Sequence, residues 1–208
     1  RGRPGIRVRV ERLFLSLFSP LRLFAFALNF TVTHCEEETM PDRRPVAKNL
    51  AHCVKVGVVY LAEDEKAHTD VKNYVKKIKD ELGLHKISCI GYHEAKELPF
   101  YLHAKLNFDA FCQKDINWYR IPGGNTVNNF IAEEHDVLID LTMDDYLPLQ
   151  YIVAKSRARF KVGRFTEGNK RFLDMMIDTA GAHSLPQLIA NVDRYLLMIN
   201  RKVEHSLN

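Results

Sequence analysis

The chain has no CxxC pair, and none of its four cysteines, Cys35, Cys53, Cys89 and Cys112, stands at metal-ligand spacing from a histidine. This removes the common zinc sites and points to a reducing compartment, so the expected localisation is cytoplasmic and no metal is expected. Cys89 in "KISCIGY" and Cys112 in "FDAFCQK" lie in apolar runs, where a thiol acts as a small buried hydrophobe. There is neither a G-x-G-x-x-G dinucleotide loop nor a G-x-x-x-x-G-K phosphate loop. Gly123 and Gly124 in "RIPGGNTVNNF" precede a helical pattern but read as a turn between elements. His93, His103 and His135 lack paired spacing, and no Ser-His-Asp or Cys-His set can be assembled from sequence order. Catalytic residues and cofactors therefore stay unassigned.

Lysine is absent before Lys48, where every basic residue is arginine. The same stretch holds five of the twelve phenylalanines, Phe14, Phe18, Phe24, Phe26 and Phe30, and the chain opens on Arg1. Its apolar run from Leu13 to Phe30 is interrupted by Pro20 and Arg22, which makes a poor membrane span. A signal peptide would show a small-x-small cleavage site, and none follows. The reading favoured over a signal-like segment or a membrane span, on the composition break and the missing initiator, is translated upstream sequence with the native start at Met40. The expected division is a leader over 1–39, a linker over 40–52, an α/β domain over 53–202 and a tail over 203–208. A membrane anchor or export would follow only if the leader were native.

The 208 residues are 46% hydrophobic and 27% charged with a net charge of +4, an ordinary globular balance. Basic residues alternate with acids, as in "DVKNYVKKIKDELGLHK", which describes a solvated helix face. A nucleic-acid footprint would be a one-sided patch, so nucleic acid is not an expected partner.

From Val54 the hydrophobic period alternates. "VKVGVVYL" reads as a buried strand, and the next segment sets Val71, Tyr74, Val75, Ile78 and Leu82 on one helical face before Gly83. "HKISCIGY", "FDAFCQK", "DVLIDLT", "RFKVGRF" and "FLDMMID" read as further strands. Helices are expected after "GG", with Asn125 or Thr126 as cap, from about Tyr146 to Ser156, and over "SLPQLIANVDRYLLMIN". The stretch containing Pro99 reads as an irregular crossover. The expectation is a single Rossmann-like, doubly wound α/β domain with a mostly parallel sheet of five to six strands. The two consecutive strands after Lys161 fit this scheme least well.

Ligands of open α/β sheets bind outside the carboxyl ends of the strands. Polar residues following the strands supply the candidates Asp140, Thr142, Asp144, Asp145, Arg164, Asn117 and Trp118. Carboxylates beside an arginine suit a phosphate-bearing small molecule. The plainer alternative has Asp144 or Asp145 capping the next helix and Asp140 bonding loop amides. Trp118 either stacks on a ligand ring or packs at an edge. Leu188, Val192, Tyr195, Leu196 and Ile199 form a stripe that is either core or a docking face for a protein partner.

The segments "FDAFCQKDINWYRIPGG", "EEHDVLIDLTMDDYLPLQYIVAKSRARFKVGRF" and "FLDMMID" resemble an uncharacterised Bacteroidetes family known only as a domain of unknown function. The resemblance runs from about Met40 to Lys202 and implies no activity. More loosely, "DVLIDLT…PLQYIVAKSRARFKVGR" is similar to part of one half of the heptosyltransferase-like GT-B glycosyltransferases. This likeness implies a fold rather than a reaction. The expected function is a non-catalytic binding or regulatory role. The alternative is an enzyme or half-domain acting on a nucleotide, sugar phosphate or nucleotide sugar at the sheet rim.

Overall fold

The structure, a computed structural model, describes residues 41–103, 106–179 and 184–200. The expected leader over 1–39, its Cys35 and the tail over 203–208 lie outside the described residues. Among the described residues there are six strands: β1 (Lys55–Leu61), β2 (Lys86–His93), β3 (Phe108–Cys112), β4 (Val137–Asp140), β5 (Lys161–Arg164) and β6 (Met175–Ile177). Four α-helices accompany them: α1 (Glu65–Leu82), α2 (Gly124–Ala132), α3 (Leu147–Lys155) and α4 (Leu185–Met198). No helix among the described residues is long and apolar enough to cross a membrane.

All strand pairs are parallel, in the order β3-β2-β1-β4-β5-β6. This is a Rossmann-like sheet, with the chain reversing its direction of travel between β1 and β4. The segments after Lys161 are parallel neighbours joined by the irregular stretch 165–174, which answers the doubt about two consecutive strands. Among its described residues the β2–β3 connection contains only a short 3-10 turn, Phe100–Leu102, as Pro99 suggested.

Each face of the sheet has its own core. Val56, Val58 and Tyr60 of β1 face Val71, Tyr74, Val75 and Ile78 of α1 and Leu188, Val192 and Leu196 of α4. On the other face Val59, Ile90, Tyr92 and Leu138 meet Val127 and Phe130 of α2 and Leu149, Ile152 and Val153 of α3. Burying one such side chain contributes about 1.5–3 kcal/mol, against a few tenths for helix propensity. The cores therefore fix the layers. The α4 stripe is core at Leu188, Val192 and Leu196, while Tyr195 stands 47% exposed.

Asp64 caps α1, its Oδ1 accepting the Ala67 N–H at 2.7 Å, and the helix ends at left-handed Gly83. The cap of α2 is Gly123 rather than Asn125 or Thr126, since the helix already begins at Gly124. Tyr146 stands at the cap position of α3 without a side-chain bond, so neither Asp144 nor Asp145 caps that helix.

The Tyr60 ring crosses over Gly91, its register partner on β2, and the Tyr60 hydroxyl lies 2.9 Å from His68 Nδ1. A Cβ at Gly91 would come within 2.7 Å of the ring carbon Cζ and 2.8 Å of the hydroxyl. Both groups are buried among neighbours that cannot retreat. Gly91→Ala should therefore destabilise the fold by roughly 1–3 kcal/mol in urea unfolding. A midpoint equal to wild type would show that the Tyr60–Gly91 contact is loose.

Candidate functional site at the carboxyl rim

Because every strand is parallel, the loops after β1, β2, β3, β4 and β5 share one rim. In many Rossmann-like proteins an anion lies at the amino end of the first helix. Here that position is taken by the protein's own acids: Asp64 caps α1 and Glu65 begins it, with Glu63 just before them. The local electrostatics oppose a phosphate at this point.

Asp140 ends β4 and is 1% exposed. Its Oδ1 accepts the Thr142 N–H at 3.0 Å and the Thr142 hydroxyl at 2.7 Å. Desolvation raises its pKa to about 6, opposed by the Thr142 bonds and by the charge of Arg164. Asp140 thus bonds a loop amide, as the plainer alternative held. Gly163 on β5 makes room for it: a Cβ there would come within 3.0 Å of Asp140 Cβ and 3.2 Å of its carbonyl oxygen.

Asp145 accepts a hydrogen bond from Gln150 Nε2 at 3.1 Å. Gln150 also reaches Asn169 Oδ1 at 3.4 Å, and Asn169 Nδ2 donates to the Arg164 carbonyl at 2.9 Å. This chain joins the β4 and β5 loops. Sequence reading missed Gln150 and the buried Asn169, whose only signal was polarity in otherwise ordinary surroundings. The Arg164 side chain keeps Nε buried without a hydrogen-bond partner.

Asn117 and Trp118 follow β3, separated from β4 by β2 and β1, a span of about 14 Å at the usual strand spacing. They do not join the Asp140 group. Asn117 Oδ1 accepts the N–H groups of Tyr119 and Ile121, both at 3.0 Å, and so builds a turn closed by the Ile116–Pro122 bridge. Trp118 is 76% exposed and lies against Tyr119 with ring centroids 3.5 Å apart, so it is not an edge packing residue.

The turn instead delivers a residue that sequence reading did not select. Arg120 sits at φ 67, a costly conformation for a side chain with a Cβ, and its guanidinium lies 4.0 Å from Glu94 after β2. Its Nε is buried without a partner. Next to it is Tyr92 of β2, fully buried, stacked on Phe111 with centroids 5.1 Å apart and edge-on to Tyr146 at 6.4 Å. The Tyr92 hydroxyl also has no partner. Desolvation raises the Tyr92 pKa and the Arg120 charge opposes the rise. The Tyr146 pKa is raised by desolvation and then by Glu94, Asp144 and Glu63, which places these three acids around it. Two donors without partners, the Tyr92 hydroxyl and Arg120 Nε, thus lie at this rim, with Glu94 beside Arg120. Among the described residues no three His, Cys, Asp or Glu side chains converge to hold a metal ion.

The Asp140 pKa yields a signed prediction. The folded state keeps this proton up to about pH 6, whereas an unfolded chain releases it near pH 4. Burial of Asp140 therefore costs stability progressively as pH rises through that window, by about 2–3 kcal/mol in all. Asp140→Asn removes this loss, so the variant should gain on wild type between pH 4 and pH 7 in urea unfolding. A difference between the two that does not change with pH would contradict a raised Asp140 pKa.

A protein-family model described as a family of unknown function (DUF6913) matches residues 32–199. No curated protein and no solved structure matches the chain. With the match running through every described strand and helix, the chain belongs to the DUF6913 family of unknown function.

Proposed function

We propose that this chain is a non-catalytic small-molecule-binding domain whose ligand occupies the carboxyl rim beside the β1–β4 switch point. The observation that carries the reading is the pair of buried, unpartnered donors, the Tyr92 hydroxyl and Arg120 Nε. Leaving a buried donor unsatisfied costs about 1–3 kcal/mol, a cost that an oxygen acceptor on a ligand would remove. Glu63, Glu94 and Asp144 around Tyr146 suit the hydroxyl groups of the same ligand. A hydroxyl-rich molecule with an acidic group, such as a sugar phosphate or nucleotide sugar, meets both requirements. Arg164 and Trp118 flank the rim, while Asp140, Thr142, Asp145 and Asn117 shape its loops. Cys53, Cys89 and Cys112 are free and buried, which supports a cytoplasmic location.

A second reading is an enzyme acting on the same class of ligand. It draws on Asp140, whose pKa of about 6 suits proton exchange near neutrality.

A thermal-shift screen of sugar phosphates, nucleotides and nucleotide sugars, with and without magnesium, tests the proposal. A ligand at a hundred times its dissociation constant adds about 2.7 kcal/mol of stability. Tyr92→Phe should abolish that gain without lowering the stability of the free protein, because it deletes a donor that has no partner. A ligand whose shift survives both Tyr92→Phe and Arg120→Gln would refute this site. Turnover of a bound ligand, lost in Asp140→Asn, would establish the enzyme reading over the binding one.

A further inference from the structure

The amino end of the sheet carries a second cleft, opposite the rim to which the fold class directs attention. Its volume is about 570 Å³, within the range of small-molecule sites. It is lined by Arg43, Arg44, Arg157 and Arg159 together with Asp42 and Glu134. After residue 40 the sequence holds fifteen lysines and nine arginines, and this cleft gathers four of the arginines and no lysine. That selection distinguishes it from a generic basic surface, because arginine presents a planar fork matched to phosphate and carboxylate.

The four arginines divide into two roles. Arg43 forms the wall: its two terminal nitrogens donate to Asp174 at 2.6 and 2.9 Å, and Asp174 also accepts the Lys161 N–H at 2.8 Å. Arg157 and Arg159 are held by their backbones rather than by their side chains. Arg157 N–H donates to the Ile131 carbonyl at 3.3 Å and Arg159 N–H to the His135 carbonyl at 2.9 Å. The Arg159 carbonyl accepts the Val46 N–H at 3.0 Å, which ties the segment bearing Arg44 to the start of β5. The Arg159 side chain meets Glu134 only at 4.0 Å, with both groups more than 60% exposed, a contact of little energetic weight. Arg44 and Arg157 are exposed and form no ion pair among the described residues. Gathering these like charges around one mouth is unfavourable until an anion enters.

We propose that this cleft binds a phosphorylated small molecule, with Arg44, Arg157 and Arg159 gripping the phosphate. Isothermal titration of the full chain with pyrophosphate and with inorganic phosphate tests it. Saturable binding is expected, tighter for pyrophosphate. Arg44→Gln and Arg157→Gln should each weaken it about tenfold, the scale of one charge-assisted contact. Arg159→Lys should weaken it less, since the charge remains but the fork is lost. All three side chains are exposed, so thermal unfolding without anion should match wild type. Arg194→Gln, on the exposed face of α4, and Tyr92→Phe, at the opposite rim, should leave the affinity unchanged. The proposal is overturned if pyrophosphate gives no saturable heat, or if Arg194→Gln weakens binding as much as Arg157→Gln. It is equally overturned if poly-glutamate binds where pyrophosphate does not. Failure here leaves the carboxyl-rim reading intact, because Tyr92→Phe reads out that rim alone.

Discussion

Parallel alignment of all six strands is the constraint from which the placement of every functional group follows. A parallel sheet puts all carboxyl ends on one rim and all amino ends on the other, and each return needs a crossover over a face. Hydrophobic burial on both faces then leaves only the rims for polar chemistry. With the order β3-β2-β1-β4-β5-β6, neighbouring crossovers leave in opposite directions at β1 and β4 and open a crevice between them. Glu63 and Asp144 come to that crevice because they follow those two strands. Glu94 and Arg120 reach it from β2 and from the turn after β3.

The two rims differ in kind. At the carboxyl rim the anion position at α1 is filled by Asp64 and Glu65, so the usual Rossmann arrangement for a pyrophosphate is blocked by the protein's own charges. Binding there must use donors from elsewhere, and the Tyr92 hydroxyl and Arg120 Nε are donors without partners. At the amino rim, four arginines from two separate stretches, 43–44 and 157–159, meet beside the acids Asp42 and Glu134. A ligand with one acidic group and several hydroxyls suits the first rim, and a more highly charged anion suits the second.

The fold was legible because its signals are local. The β-branched run of β1, the three- and four-residue spacing in α1 and the stop at Gly83 each follow from contacts within a few residues. The helix caps were less legible. Asp144 and Asp145 had the right residue type and position, yet the backbone enters α3 through Tyr146 and Asp145 bonds Gln150 instead. The candidate site was only partly legible. Asp140 and Thr142 could be named from their place after a strand, and so could Arg164. Arg120 could not, because its role depends on the Asn117 turn folding it back across Tyr92. Tyr92 could be placed on the rim from its position at the end of a strand, but not its unpartnered hydroxyl, since a tyrosine differs from phenylalanine by a single oxygen.

That oxygen sharpens the physical argument about the carboxyl rim. The Tyr92 ring makes all the packing contacts phenylalanine would make, against Phe111 and Tyr146, so the hydroxyl adds nothing to the core. Buried without a partner, it costs free energy in the unliganded protein. Arg120 carries a similar burden, since it combines a left-handed backbone with a desolvated Nε. Strain and lost hydration at two adjacent positions are hard to reconcile with a purely structural rim, where phenylalanine and glycine would serve better. On the proposed reading these are donors set in place before a ligand arrives, with the cost borne in the free protein and recovered when an acceptor binds.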